Sequence, residues 1–243
     1  MPQQTHHTSL IGGIGLTELA VYEHHPAPDG KNSGCPHIHA ICDEAYYVIE
    51  GTGEVELHDL QSGFRTLLLK PGQYVQFPPL VLHRIISHKG LRILGIMGNA
   101  GLAESGDARI YFGQEVDQNN AEFKRLTALP KEKGLKGALE RRDHSIRAYQ
   151  TLIQLQKDNP SAYLTELKRF VQTHQTAIEP LRHTFQSAIE TGPLFWGNRS
   201  QKRLHQTPSP HPDSTIVTHH RQPETALGMC GILNPMLKLQ QID

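Results

Sequence analysis

Between residues 10 and 112 the apolar residues fall in short runs: LTELAVYE, EAYYVIE, GEVELHD, RTLLL, QYVQF, LHRIIS and LRILGIM. Turn-forming stretches separate them, among them APDGKNSG, GTG, LQSG, KPG and HKG. Many short strands at this spacing, with no helical period, predict an antiparallel sandwich or barrel. Gly51-Thr52-Gly53 and Pro71-Gly72 are the firmest turn signals, because glycine reaches positive φ without steric cost.

Beyond about residue 120 the period becomes helical. Ile146, Tyr149, Ile153 and Gln156 share a face, with Leu152 and Leu155 beside them and Asp143 or Ser145 as the N-cap. Asn159-Pro160 breaks this run, and Ser161 is expected to cap the next, which carries Leu164, Leu167, Val171, His174 and Ile178. Pro180 should kink or restart the helix, with Leu181, Phe185 and Ile189 continuing the stripe. The stripes are expected to bury against the β unit or a second subunit. The basic stretch KEKGLKGALERR at 131–142 reads as a solvated connector. After Trp196 the chain turns polar and proline-rich, a composition that buries too little apolar surface to offset ordering. The expected organisation is a flexible N-terminus at 1–9, a β-barrel at 10–115, a helical extension at 116–196 and a mostly disordered tail at 197–243. Within that tail LGMCGILNPMLKL is the stretch able to dock, and His211, His219 and His220 read as solvated.

Composition changes this picture in four ways. Lys plus Arg equals Asp plus Glu at 24 each, and no helix-turn-helix with a basic face is visible, so no nucleic-acid partner is expected. No apolar stretch approaches the roughly 20 residues of a membrane span, and MPQQTHHTSLIGGIG lacks the features of a secretory leader. Cys35, Cys42 and Cys230 form no paired framework, so a cytoplasmic location is expected. The excess is in histidine, with 16 residues.

Four residues stand in a pattern that suits a metal. His37 and His39, two apart on a strand, point to the same side, and Glu44 returns after a short turn. His83 begins a later strand after Pro71-Gly72. Three imidazoles and a carboxylate suit one divalent transition-metal ion, Fe, Mn, Ni, Cu or Zn. His24, His25, His58 and His88 show no such pattern and read as surface residues. Tyr46 shares the parity of Glu44, so it faces either the cavity or the core. Cys35 has the parity of His37 and is either a thiolate near the mouth or a small non-ligand residue. Val48, Phe77, Ile85 and Ile93 are candidates for an apolar pocket wall. No arginine is placed toward the cavity by pattern, so no anchor for a strongly anionic substrate is expected.

The segment from Gly34 to Gly51 resembles the first cupin motif at His37, His39, Glu44 and Gly51, with Lys31 where that motif opens on glycine. The segment from Gly72 to Ser87 resembles the second at Gly72, Pro78 and His83, with Leu80 in place of glycine and Ser87 in place of asparagine. The resemblance covers roughly residues 10–112. It implies a double-stranded β-helix, or jelly-roll barrel, often dimeric, with a metal inside one mouth held by His37, His39, Glu44 and His83. It also implies that Glu44 can exchange protons with substrate; Tyr46, placed by parity either at the cavity or in the core, would in the first case offer a hydroxyl beside it. The expected function is a dioxygenase-type oxidoreductase acting on a small chelating organic molecule. The alternatives are a non-catalytic binding or sensing module and a sugar isomerase or epimerase.

Overall fold

The computed structural model describes residues 10–129, 131–206 and 224–236. Ten strands join one antiparallel sheet: β1 (Gly15–Val21), β2 (Asn32–Ser33), β3 (His37–His39), β4 (Glu44–Asp59), β5 (Gly63–Leu69), β6 (Tyr74–Phe77), β7 (Leu82–Met97), β8 (Ala108–Ile110), β9 (Ala226–Leu227) and β10 (Gly231–Pro235). The hydrogen-bonded order is β5-β4-β7-β1-β10-β9, with β6 on β4, β2 and β3 on β7, and β8 on β3. This path ends at β5 and β9, so the expected closed barrel is instead an open jelly-roll sheet.

The two long strands make the layers. β4 and β7 pair along their whole length, with register shifts between Val48 and Gly53. There the chain bends, and Gly51 permits it: its φ is 76°, and a Cβ would lie 2.1 Å from the Gly90 carbonyl oxygen. The near half of β4 pairs β6 and the far half pairs β5. The inward residues Val48, Val55, Leu57, Leu69, Ile85 and Ile93 form the core between the halves.

Two departures from the cupin pattern have visible consequences. Leu80 keeps the left-handed backbone that glycine would favour, with φ 66°, while its amide donates to the His39 carbonyl. Such a residue costs about 1–2 kcal/mol, offset here by its side chain packing beside Ile38 and Leu82. Ser87 braces β7 by accepting from the Leu91 amide and donating to Glu23.

The helices are α1 (Gln114–Asp117), α2 (Asn120–Thr127), α3 (Gly134–Asp158), α4 (Pro160–Ala177), α5 (Arg182–Ile189) and α6 (Phe195–His205). α3 starts well before Asp143, so the basic stretch is no connector. Ala138 and Arg142 within it are wholly buried, and Arg142 donates to the His25 carbonyl. Asn159 rather than Ser161 caps α4: its Oδ1 accepts from the Ala162 amide, and Pro160 sits at the first helical position, where a missing N–H costs nothing. A turn of 3₁₀ helix at Glu179–Leu181 marks Pro180. The buried stripe of α4 is Tyr163, Leu167, Phe170, Val171 and His174, while Leu164 faces out.

The expectation of a mostly disordered tail fails at two places. Residues 195–205 form α6, and β10 lies along β1 from Thr17↔Pro235 to Val21↔Gly231. β1 has β7 on one edge, and its other edge needs partners for its backbone groups. Gly231 fits against β1, where a Cβ would lie 2.1 Å from the Ala20 oxygen, and Gly34 leaves room for Cys230. Average polarity hid this, because only a few apolar residues, Met229, Cys230 and Leu233, reach the core from this segment. Residues 1–9, 207–223 and 237–243, with His211, His219 and His220, lie outside the described residues.

His58 is the other correction, being fully buried rather than at the surface. α3 and α4 cover the outer face of β4 here, so inward and outward residues are both buried. Tyr149 donates to Glu56, so His58 Nε2 donates to Tyr149, and His58 Nδ1 accepts from Tyr163. This chain ties both helices to the sheet through one neutral imidazole. Burial holds the His58 pKa down to about 3, against about 6.5 in an unfolded chain. Between those values the unfolded state binds a proton that the folded state refuses, so stability falls as pH falls through that window. The expected slope is about 1.4 kcal/mol per pH unit for this group, and His58→Gln should remove it in acid unfolding curves. An unchanged proton uptake on unfolding would contradict the assignment.

Candidate metal centre

Strand pairing assembles the four expected ligands. His37 on β3 stands opposite His83 on β7, while Glu44 opens β4 on the same side of the sheet. The side chains of His37, His39, Glu44 and His83 are all buried, and one donor atom from each lies within 4.8 Å of all the others.

The outward nitrogen of each ring is fixed. His37 Nδ1 donates to the Cys35 carbonyl at 2.9 Å, and His83 Nδ1 donates to the Val81 carbonyl at 3.0 Å. Each uses the carbonyl two residues upstream on its own chain. His39 Nδ1 donates to Asp107 Oδ2 at 3.0 Å, and Asp107 Oδ1 accepts from the amides of Ala40 and Ile41. The Asp107 backbone carbonyl in turn accepts from His174 Nε2 of α4. A carbonyl can only accept, so in a neutral His37 or His83 the bare nitrogen is Nε2, turned inward.

The inward atoms crowd one point. His37 Nε2 and His83 Nε2 are 3.1 Å apart, and Glu44 Oε2 lies 3.0 Å from His83 Nε2 and 3.2 Å from His39 Nε2. The bare Nε2 atoms of His37 and His83 face each other and Glu44 Oε2, and a buried site of this kind needs a cation among them. A proton can serve two of these atoms, whereas one metal ion serves all four. Adjacent donors around a six-coordinate ion with bonds of about 2.1 Å lie about 3.0 Å apart, so the spacing fits.

The electrostatics show what a metal would displace: the His39 proton, held between Asp107 and the ionised Glu44. Burial, with His83 and His39 beside it, holds the His37 pKa well below the usual imidazole value. Burial opposes charge on His39, but Asp107 and Glu44 outweigh it and hold its pKa at about 9. Burial also opposes ionisation of Glu44, yet His83 and His39 hold its pKa well below the usual carboxylate value. Asp107 is thus part of the centre. Asp107→Asn should weaken metal binding by about 10- to 100-fold, as loss of such a partner commonly does. Metal competition assays would read this, and unchanged affinity would remove Asp107 from the centre.

A cavity of about 310 Å³ opens beside these ligands. Its wall is Leu19, Met97, Leu227, Met229 and Leu233, and Tyr46 reaches it from the core. The Tyr46 hydroxyl is buried without a hydrogen-bond partner, and burial with the nearby Glu44 charge keeps it protonated. Val48, Phe77, Ile85 and Ile93, expected at the wall, belong to the core. Cys35 is buried away from the cavity and contributes its carbonyl to His37. Cys230 is the thiol at the centre, its Sγ 3.7 Å from His37 Nε2. Nothing in the sequence pattern marked Asp107 or Cys230, since each reaches the site by long-range pairing.

The family model described as "Cupin domain" matches residues 24–97. No curated protein matches the chain. Among solved structures, Peruvianin-I, a cysteine peptidase from Thevetia peruviana latex, is 13% identical over 40% of this chain and 55% of its own, with a TM-score of 0.33. A Streptomyces protein solved with uridine is 12% identical over 42% of this chain and 70% of its own, with a TM-score of 0.32. A cupin protein from Bacteroides fragilis is 20% identical over 37% of this chain and 68% of its own, with a TM-score of 0.28.

Proposed function

We propose that this chain, whose residues 24–97 match the cupin domain, is a metal-dependent enzyme acting on a small chelating organic molecule. The observation that carries this reading is the convergence of three inward Nε2 atoms and Glu44 Oε2 beside an apolar cavity. A bound divalent transition metal would supply Lewis acidity and, where redox-active, a route for electrons. His37, His39 and His83 would hold it, with Asp107 aiming His39. Glu44 would complete the set and serve as a proton acceptor, its carboxylate being ionised at neutral pH. Tyr46 would donate its unpartnered hydroxyl to substrate. Leu227, Met229 and Leu233 would exclude water.

The finer reading is a dioxygenase-type oxidoreductase. The mostly apolar wall favours it over a sugar isomerase, which needs many polar contacts. Three free buried thiols fit a reducing cytoplasm, and no described helix is long and apolar enough to cross a membrane. A homodimer belongs to the same reading, and light scattering that shows a monomer would remove it. The deciding experiment is elemental analysis followed by oxygen uptake with small enols and diketones. Expected is about one equivalent of iron, manganese, nickel or copper with substrate-dependent uptake. Zinc alone with no uptake would overturn the oxidative reading and leave a binding module.

A further inference from the structure

Arg141 is a buried-edge cation without an anion. It lies on α3, outside the matched segment, yet it lines the same cavity as His37, His39 and Glu44. Its guanidinium donates to the Gly228 carbonyl at 2.8 Å and to the Thr127 carbonyl at 3.3 Å. Its Nε is shielded from solvent and has no hydrogen-bond partner. Among the described residues no carboxylate lies within 4 Å of it, although its neighbour Arg142 is paired with Asp143, and Arg84 with Asp29. Two neutral carbonyls satisfy hydrogen bonds but leave the charge uncompensated, which is costly away from water.

The placement is held by its surroundings. Arg142, fully buried, and Ser145, bonded to the Tyr111 carbonyl, fix this part of α3 against the sheet. Gly228 and Cys230 are two residues apart, so at most about 7 Å of chain separates the carbonyl that Arg141 holds from the thiol residue beside His37. A small molecule can therefore reach both the guanidinium and the metal ligands.

We propose that Arg141 is the receptor for a carboxylate on the substrate, so that the enzyme acts on a small organic acid carrying a chelating oxygen next to an apolar group. This rests on the metal-centre reading and narrows it: the neutral enols and diketones suggested by the apolar wall alone become the weaker ligands. A guanidinium pairs with a planar carboxylate through parallel N–H bonds, and Lys cannot reproduce that fork. Glu104 also lines the cavity, so a second negative group on the ligand is disfavoured.

The test compares 3,4-dihydroxybenzoate with 3,4-dihydroxybenzamide, which keeps both chelating oxygens and loses the charge, by calorimetry on metal-loaded and metal-stripped full-length protein. The wild type should favour the acid at least tenfold when loaded. Arg141→Met should lose that preference while keeping its metal and its affinity for the amide, and Arg141→Lys should keep part of the preference. Because Arg141 also holds Gly228, Tyr22→Phe is the control. It removes the tyrosine hydroxyl that donates to the same carbonyl at 2.9 Å without touching the guanidinium, and it should keep the preference. Equal binding of acid and amide in the wild type, no binding of the acid at millimolar concentration, or an unchanged preference in Arg141→Met would each overturn the proposal. A protein that takes up no metal yet still prefers the acid through Arg141 would overturn the metal reading and spare the carboxylate receptor.

Discussion

His83→Ala is expected to end tight metal binding while leaving the fold intact. His83 is central, standing 3.1 Å from His37 Nε2 and 3.0 Å from Glu44 Oε2, so its removal takes away the donor that joins β3 to β4 through the ion. The loss should exceed the about 10- to 100-fold typical of an outer partner such as Asp107. Metal also stabilises what it binds: free metal at a thousand times its Kd adds about 4 kcal/mol to the folded state. Wild type should therefore melt higher with metal than without, and His83→Ala should melt at one temperature in both conditions. A full equivalent of metal in the purified variant would remove His83 from the ligand set.

Asp29→Asn should be the most damaging substitution away from the centre. Asp29 holds Arg84 with both oxygens, at 2.7 and 3.1 Å, and Arg84 is only 1% exposed. The variant keeps the shape and removes the charge, leaving Arg84 with Ser33 and with Glu56 at 3.6 Å. Breaking one side of a buried pair costs about 3–5 kcal/mol, a large part of the roughly 5–15 kcal/mol that holds a domain together. The melting temperature should drop by about 10 °C. Burial works against ionised Asp29, but Arg84 prevails and its pKa is lowered. Its contribution is accordingly present above about pH 4 and lost as pH falls through the lowered value. Wild type and variant should therefore converge in strongly acid solution. A variant as stable as wild type at neutral pH would show that Glu56 and Ser33 suffice for Arg84.

The ligand set was legible because it depends on local rules. His37 and His39 lie two apart on one strand, and Glu44 and His83 open strands beside clear turns, so parity alone turns them inward. The antiparallel sheet and the helical extension were legible from period in the same way. What escaped depends on who covers whom. His58 looks like an outward strand residue, and it is buried because α3 and α4 lie over that half of β4. Asp107 meets His39 from 68 positions away, brought there only by the short pairing of β8 with β3. Arg141 sits in a stretch whose charge suggested solvent, and it faces the cavity because Arg142 and Ser145 set the rotation of α3. β10 is short, ends in proline and follows a polar stretch, yet the open edge of β1 selects it. In each case the deciding partner is remote in sequence, and composition averaged over a window dilutes the few residues that dock.

The most direct measurement is titration of metal-stripped protein with cobalt(II), followed by visible absorption. A centre built from His37, His39, Glu44 and His83 should saturate at about one equivalent with the weak bands of a nitrogen and oxygen site. The same titration of His83→Ala should give no saturable signal. An intense thiolate band would replace one of these donors with Cys230, and the absence of saturable binding in wild type would contradict the metal centre outright.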